Sequence, residues 1–368
     1  FSDVGGESLL IIQMLEAIRV AFSVKLEIAD VYAAPTIAKL STVIRSRVMN
    51  GADARPISES ESTVLVFPGQ GVQAPGMAYG AYTSHAAGKI FEAAEKQLGY
   101  DILQLCNDGK LETMEQIQVG IFVTSVATLE HHRALLPQLK NAKFSAGLSL
   151  GEYAALYSAG VLSFDRALSL VQRRAALMAE DAHKTPGGML SIQDIELGDL
   201  QEFLRQNSIE ATIANLLTKT HFVVSASTEE LQRLESALKN SHPLRVRARR
   251  LQVTGAFHSP FMSNASKLFT KELDCVAFSS PKTGLLLNTG SGFRSFQPGD
   301  DPALIVAALA EGSISAAAHW VDTAEFLLST SPSGTIYELG VGHTLSQLFL
   351  KLDAPQAGWQ VVALDLGK

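Results

Sequence analysis

One serine in this chain stands between two glycines, in Gly147-Leu148-Ser149-Leu150-Gly151. A serine hydroxyl becomes a nucleophile when a tight strand-to-helix turn exposes it and a nearby base takes its proton. Bulky residues two positions away would clash on such a turn, so the glycines fit that chemistry. They also fit an ordinary turn that needs small residues. The segment that follows, "GEYAALYSAG", reads as a helix. Its N-terminus would offer backbone N–H groups to a developing oxyanion. Of the nine histidines, His258 differs from the rest, because "VTGAFHSPFM" sets it between aromatic and small residues after a strand. It is the candidate base, with a satisfied core histidine as the plain alternative. No Asp or Glu stands out as a third member. A Ser149/His258 dyad is therefore expected, its far imidazole nitrogen held by a backbone carbonyl.

A third candidate is Arg174, in "FDRALSLVQRRAALMAEDA". On a helix its neighbours three and four positions away are Leu170, Val171, Leu177 and Met178, which places it on the apolar stripe. Arg173 points elsewhere. An inward arginine needs an anion, because an unpaired buried charge is costly. The anion could be a protein carboxylate, or a substrate carboxylate held in a two-pronged grip. The glycine-rich "FPGQGVQ" at 67–73 follows a strand but lacks the Lys-Ser/Thr of a phosphate loop. Such a loop can instead lend a backbone N–H to an oxyanion. "ELGVGH" near 338–343 lacks the third glycine and the downstream acid of a dinucleotide site. In the opening "DVGGESLL", Ser8 begins an apolar-faced helix after two glycines, where its bland role is an N-cap.

Composition limits what these residues can serve. The chain has 368 residues, 46% of them hydrophobic and 18% charged, enough for more than one packed core. A formal net charge of -7 argues against nucleic acid as the main partner. Two cysteines, Cys106 and Cys275, imply no disulfide framework and point to a reducing, cytoplasmic setting. No apolar run reaches membrane-span length, so no membrane partner is expected; the chain also starts without Met, as a fragment would, and an organellar address is not excluded. No metal site is expected either.

The elements that must position the candidates alternate in pattern. Residues 1–48 read as small amphipathic helices, with Leu9, Ile12, Leu15, Ile18 and Phe22 at helical spacing. Residues 49–62, rich in Gly, Pro and Ser, read as a linker. From "TVLVF" onward, apolar strands alternate with amphipathic helices, as in an α/β sheet. Around 187–254 four strands and two helices, at about 197–206 and 228–240, suggest a small α+β subdomain inserted into the larger one. Its last strand, "LRVRARRLQV", concentrates Arg245, Arg247, Arg249 and Arg250, which could steer an acidic partner.

In order and spacing, "FPGQGVQAPGM", "GLSLGEYAAL", "QRRAALM", "IANLLTKTHFVVSA", "GAFHSPFM", "LLLNTG" and "YELGVGHTLSQLF" resemble the malonyl-CoA:acyl carrier protein transacylases, including the acyltransferase domains of fatty-acid and polyketide synthases. The resemblance covers residues 63–368. It implies an α/β-hydrolase-like core with an inserted ferredoxin-like subdomain. It implies Ser149 as nucleophile, His258 as base, Arg174 as ligand of the malonyl carboxylate, and the backbone N–H groups of Gln70 and Leu150 as the oxyanion hole. Phe257 resembles the bulky residue of malonyl-selective members, and Asn215 falls at a kept substrate-side position. Ser313 falls where the family's histidine-orienting carbonyl is expected. The chain departs from the family at Leu148, where His is usual, and at Leu217, where a second Asn is common.

Residues 1–48 resemble a partial carrier protein of the acyl or peptidyl type. Ser8 matches the serine that receives phosphopantetheine, although Glu7 replaces the usual Asp. The resemblance thus implies malonyl-CoA, a carrier protein and other synthase domains as partners. Two rival readings are a hydrolase that clears stalled carriers and a non-catalytic docking module. The first is expected to lack Arg174. The second would not need Ser149, His258 and Arg174 together.

Overall fold

The computed structural model describes residues 62–367 except 241–245 and Ser313; of the first 61 it describes 15, 18, 26, 28–34, 36, 39–41 and 43. The chain divides into two compact units, Phe1–Glu61 and Ser62–Lys368. In the first, a short helix spans Ile28–Ala33, and Ile18, Leu26, Ala34 and Leu40 cluster in a small apolar core.

The second unit is built on a six-stranded sheet. Its strands are β1 (Ser62–Phe67), β2 (Phe144–Gly147), β7 (Gly284–Thr289), β8 (Gly292–Phe296), β9 (Gly334–Leu339) and β10 (Trp359–Leu364), in the order β10-β9-β1-β2-β7-β8. All pairs are parallel except β7–β8. Every residue of β1 and β9 is buried, and the "VLVF" of β1 accordingly reads as a continuous apolar run rather than an alternating one. Helices such as His85–Leu98, Met114–Leu135 and Phe164–Lys184 carry the chain between strands and bury their apolar faces against one large core. The central strands β1 and β2 run side by side with Phe67 opposite Gly147. The loops leaving them, 68–71 and 148–150, therefore emerge together at the carboxyl ends of the strands, where ligands bind in open α/β sheets.

A second sheet lies between the helix Phe164–Lys184 and the turn that carries His258. Its strands are β3 (Gly187–Gln193), β4 (Thr212–Thr218), β5 (His221–Ser227) and β6 (Arg247–Arg250), all antiparallel in the order β4-β5-β3-β6. With the helices Leu197–Gln206 and Thr228–Asn240 they give the β-α-β-β-α-β order of a ferredoxin-like unit. Leu190, Ile192, Phe222, Val224, Leu231 and Leu234 belong to its own core, separate from the large one. Among the described residues no helix is long and apolar enough to cross a membrane.

Candidate active site

Ser149 sits just past β2, one residue before the N-cap of the helix Gly151–Ser158. Its φ is 54°, the left-handed region that a side chain other than glycine rarely adopts. The flanking glycines hold it there. A Cβ on Gly147 would meet the backbone of Gly151 and Glu152, and a Cβ on Gly151 would meet the carbonyl of Phe67. The turn can close this tightly only without those side chains.

His258 also has φ 54°. Its Nε2 lies 2.8 Å from Ser149 Oγ, and its Nδ1 lies 2.8 Å from the carbonyl oxygen of Ala316. A carbonyl only accepts, so Nδ1 carries the proton, and the bare Nε2 accepts from the serine hydroxyl. Burial, and after it the charge of Arg174, push the imidazole down to about 4, while the bond to Ala316 pushes it up. The ring is therefore neutral at pH 7 and ready to take a proton.

Arg174 reaches the same serine from the middle of its helix. It is 1% exposed; Nη2 donates to Ser149 Oγ at 2.8 Å and Nη1 to Gln118 Oε1 at 2.7 Å. Its guanidinium lies 5.9 Å from the Tyr153 ring centroid. Among the described residues no carboxylate lies within ion-pair distance of it, and its Nε has no partner. Glu152 acts on it only through space. Burial weakens the hold of Arg174 on its proton, and pushes the fully buried Glu152 up to about 8 against the Asn288 N–H and the Arg174 charge. Arg173 points outward to Glu272.

The remaining candidates fall around this centre. Gln70 joins it through its side chain, whose Oε1 lies 3.3 Å from Gln118 Nε2. The backbone N–H groups of Gln70 and Leu150 donate to no protein acceptor among the described residues. Phe257 is buried; its ring covers Gly255 beside Ala182, and its carbonyl accepts from Ser225 Oγ at 2.5 Å. Asn215 lies on β4 opposite Ala318, with its side-chain Oδ1 buried and without a partner among the described residues. Ser8 and Arg245 lie outside the described residues. So does Ser313, and the carbonyl that accepts from His258 belongs instead to Ala316. The arginines of β6 are largely spent within the subdomain. Arg247 pairs with Asp194 at 2.6 Å and Arg250 with Glu235 at 3.0 Å, which leaves Arg249 exposed. Among the described residues no group of His, Cys, Asp or Glu side chains is arranged to hold a metal ion.

Sequence reasoning passed over Gln118, Glu152, Asn288 and Ala316. Three carried a signal: a polar or charged residue inside an otherwise apolar run, in "QIQVGIFV", "GEYAAL" and "LLLNT". A backbone carbonyl carries none.

A neutral histidine at a strained serine, with a buried cation against the same hydroxyl, is the equipment of a serine-ester group-transfer enzyme. The chain belongs to the acyl transferase domain family, which it matches over residues 64–317; residues 1–44 match the phosphopantetheine attachment site family. It is 38% identical over 239 residues to a probable mitochondrial malonyl-CoA-acyl carrier protein transacylase of Drosophila melanogaster, covering 61% of this chain and 62% of that one. A mitochondrial malonyl-CoA-acyl carrier protein transacylase of Mus musculus is 33% identical over 261 residues, 67% of this chain and 68% of the relative. Among solved structures, a malonyl CoA-acyl carrier protein transacylase from Burkholderia pseudomallei superposes with a TM-score of 0.71 at 28% identity, covering 80% of this chain and 98% of that one.

Proposed function

We propose that this chain transfers a malonyl group from malonyl-CoA, through an ester on Ser149, to the phosphopantetheine thiol of a carrier protein. The observation that carries the reading is Arg174: a buried cation against the nucleophile with no carboxylate at ion-pair distance among the described residues. A carboxylate brought by the substrate satisfies both charges at once.

Ser149 Oγ gives its proton to His258 Nε2 and attacks the thioester carbonyl. The free N–H groups of Gln70 and Leu150 are the candidates to meet the charge on the tetrahedral oxygen. The carbon–sulfur bond breaks, and CoA leaves with the proton from His258. The carrier thiol then gives its proton to His258, and its sulfur attacks the malonyl ester. Ser149 leaves and recovers the proton. Phe257, packed beside the histidine, limits room for an α-methyl branch, and Asn215 Oδ1 is a further polar contact for the substrate. Within this reading residues 1–48 are a partial carrier with Ser8 as its attachment point, 49–62 a linker whose last residue, Ser62, already opens β1, and 63–368 the transferase, working beside other synthase domains in the cytoplasm or an organelle.

Intact-protein mass spectrometry after incubation with a panel of acyl-CoAs tests it. The wild type should gain malonyl, far less acetyl and some methylmalonyl; Ser149→Ala should gain none. Arg174→Ala should lower malonyl loading and relax the bias against acetyl. Equal acetyl and malonyl loading of the wild type would overturn the reading.

A further inference from the structure

The described residues between Gly312 and His319 form no regular structure apart from a bridge at Ala318, yet one of them supplies the carbonyl that fixes His258. Unanchored, a loop carbonyl would wander, and the imidazole with it. Two anchors come from β4, through Leu216 N–H to the Ala318 carbonyl at 2.9 Å and Ala318 N–H to the Ala214 carbonyl at 2.8 Å. A third runs from His258 N–H to the Ile314 carbonyl at 3.1 Å. The densest set comes from one side chain. Asn288, at the end of β7, donates through Nδ2 to the carbonyls of Ala317 at 2.8 Å and Gly312 at 3.1 Å, and accepts through Oδ1 from His319 N–H at 2.7 Å. The amide uses both donor hydrogens and its acceptor on one loop, a set that neither Asp nor an apolar residue can reproduce.

Asn288 is itself tied to the nucleophile's side. Its backbone N–H donates to Glu152 Oε1 at 2.6 Å. Glu152 is buried in the first turn of the helix Gly151–Ser158, and its own N–H donates to the Ser149 carbonyl at 3.1 Å. The bonds close a ring: Ser149, Glu152, Asn288, the 312–319 loop with Ala316, His258, and back to Ser149.

We propose that Asn288 is a positioning residue for the base. It holds the Ala316 carbonyl at His258 Nδ1, and Glu152 locks that clamp to the turn that carries the nucleophile. The proposal rests on the reading of Ser149 and His258 as nucleophile and base. It makes the distance between the two catalytic groups a property of one polar ring rather than of the apolar core around it.

The test compares Asn288→Ala, Asn288→Asp, Glu152→Gln and Glu152→Ala. Asn288→Asp keeps the volume and the acceptor but loses both donors. Single-turnover acylation of Ser149 by malonyl-CoA should slow by about 10-fold to 100-fold in both Asn288 variants, the scale of a small misplacement of reacting groups. The KM for malonyl-CoA should hardly move. Glu152→Gln, which keeps the acceptor, should stay near wild type. Glu152→Ala should lose rate, and adding it to Asn288→Ala should cost less than the product of the two effects, as groups in one network do. In nitrogen-15 NMR of the resting protein the His258 Nδ1–H signal should be sharp in the wild type and lost or exchange-broadened in both Asn288 variants. Should Asn288→Ala fail to fold, Asn288→Asp carries the test. A folded Asn288→Asp with wild-type acylation and an unchanged Nδ1–H signal would overturn the proposal. The NMR reading needs no turnover. If Ser149→Ala still loads malonyl, the catalytic reading falls while the clamp is judged on its own.

Discussion

Two turns meet at this site, and each holds a residue at φ 54° by a different device. At 147–151 the strain is enforced by exclusion: Gly147 and Gly151 lie so close to neighbouring backbone that nothing larger fits. At 256–259 the strain is enforced by bonding. Ser225 Oγ donates to the Phe257 carbonyl, Ser259 Oγ to the Ala256 carbonyl at 2.5 Å, and His258 N–H to the Ile314 carbonyl. The first turn is local and rigid, because steric walls do not yield gradually. The second gathers its partners from β5 and from the 312–319 loop, so it can be loosened one bond at a time. The nucleophile is thus fixed by packing and the base by a network.

The sharpest way to break the contrast is to add a methyl group on the packed side. Gly151→Ala would push into the Phe67 carbonyl, and Gly147→Ala into the backbone of Gly151 and Glu152. Backbone cannot swing aside as a side chain does. Labelling of Ser149 by a serine-directed fluorophosphonate should drop by at least about 10²-fold, the cost of displacing a reacting atom by an ångström or so. A folded Gly151→Ala that labels at the wild-type rate would show that packing does not set the turn.

Next in size is the pH response of the base. Acylation needs a neutral His258, which burial and Arg174 together hold down to about 4. The rate should stay level from about pH 8 to 5 and fall only toward pH 4, whereas an ordinary histidine would halve it near 6.5. Arg174→Gln removes the positive neighbour, so the acid limb should move upward. It should stop short of the ordinary value, since burial is the larger cause. A wild-type limb centred near 6.5 would show that the ring is not desolvated as the structure has it.

Smaller effects are expected where single bonds of the second turn are removed. Ser225→Ala and Ser259→Ala each delete one donor to a strained carbonyl, worth about 1 kcal/mol, or roughly 5-fold in rate if all of it reaches the histidine. Single-turnover acylation should show losses of that order that grow when the two are combined. Loss as large as that of Gly151→Ala from either one would erase the distinction between the turns.

The contrast also explains what the chain reveals on reading. The packed turn is written in five adjacent residues, so Gly147, Ser149 and Gly151 were legible together. Arg174 was legible because helical spacing alone puts it among Leu170, Val171, Leu177 and Met178. The ferredoxin-like elements were legible because each is short and periodic: Gly187–Gln193, Leu197–Gln206, Thr212–Thr218, His221–Ser227 and Thr228–Asn240. The bonded turn draws on Ser225, Asn288 and Ala316, which are distant in sequence, and any residue type could supply the carbonyl of Ala316. The same distance hid the fate of the β6 arginines, since Asp194 lies 53 residues from Arg247.

The last expected effect is on stability rather than rate, and it separates the two sides of the ring by sign. His258 has a folded pKa below its unfolded value, so its contribution is present above about 6.5 and lost as pH falls toward 4. Glu152 is opposite: burial raises it from 4.5 to about 8, so its contribution is present below 4.5 and is lost as pH rises through 8. Its carboxyl binds a proton in the folded chain that the unfolded chain has already released. Glu152→Gln keeps the bond from the Asn288 N–H and has nothing to titrate. Urea unfolding at several pH values between 5 and 9 should show wild-type stability drifting downward on the alkaline side, by a few kcal/mol at most. The Gln variant should be flatter there, and below about pH 6.5, where the Glu152 slope opposes that of His258, it should lose stability more steeply than the wild type as pH falls. If both proteins follow the same alkaline slope, the Glu152 carboxylate is solvated or paired in the folded state, and the nucleophile's turn is held by packing with no help from a buried proton.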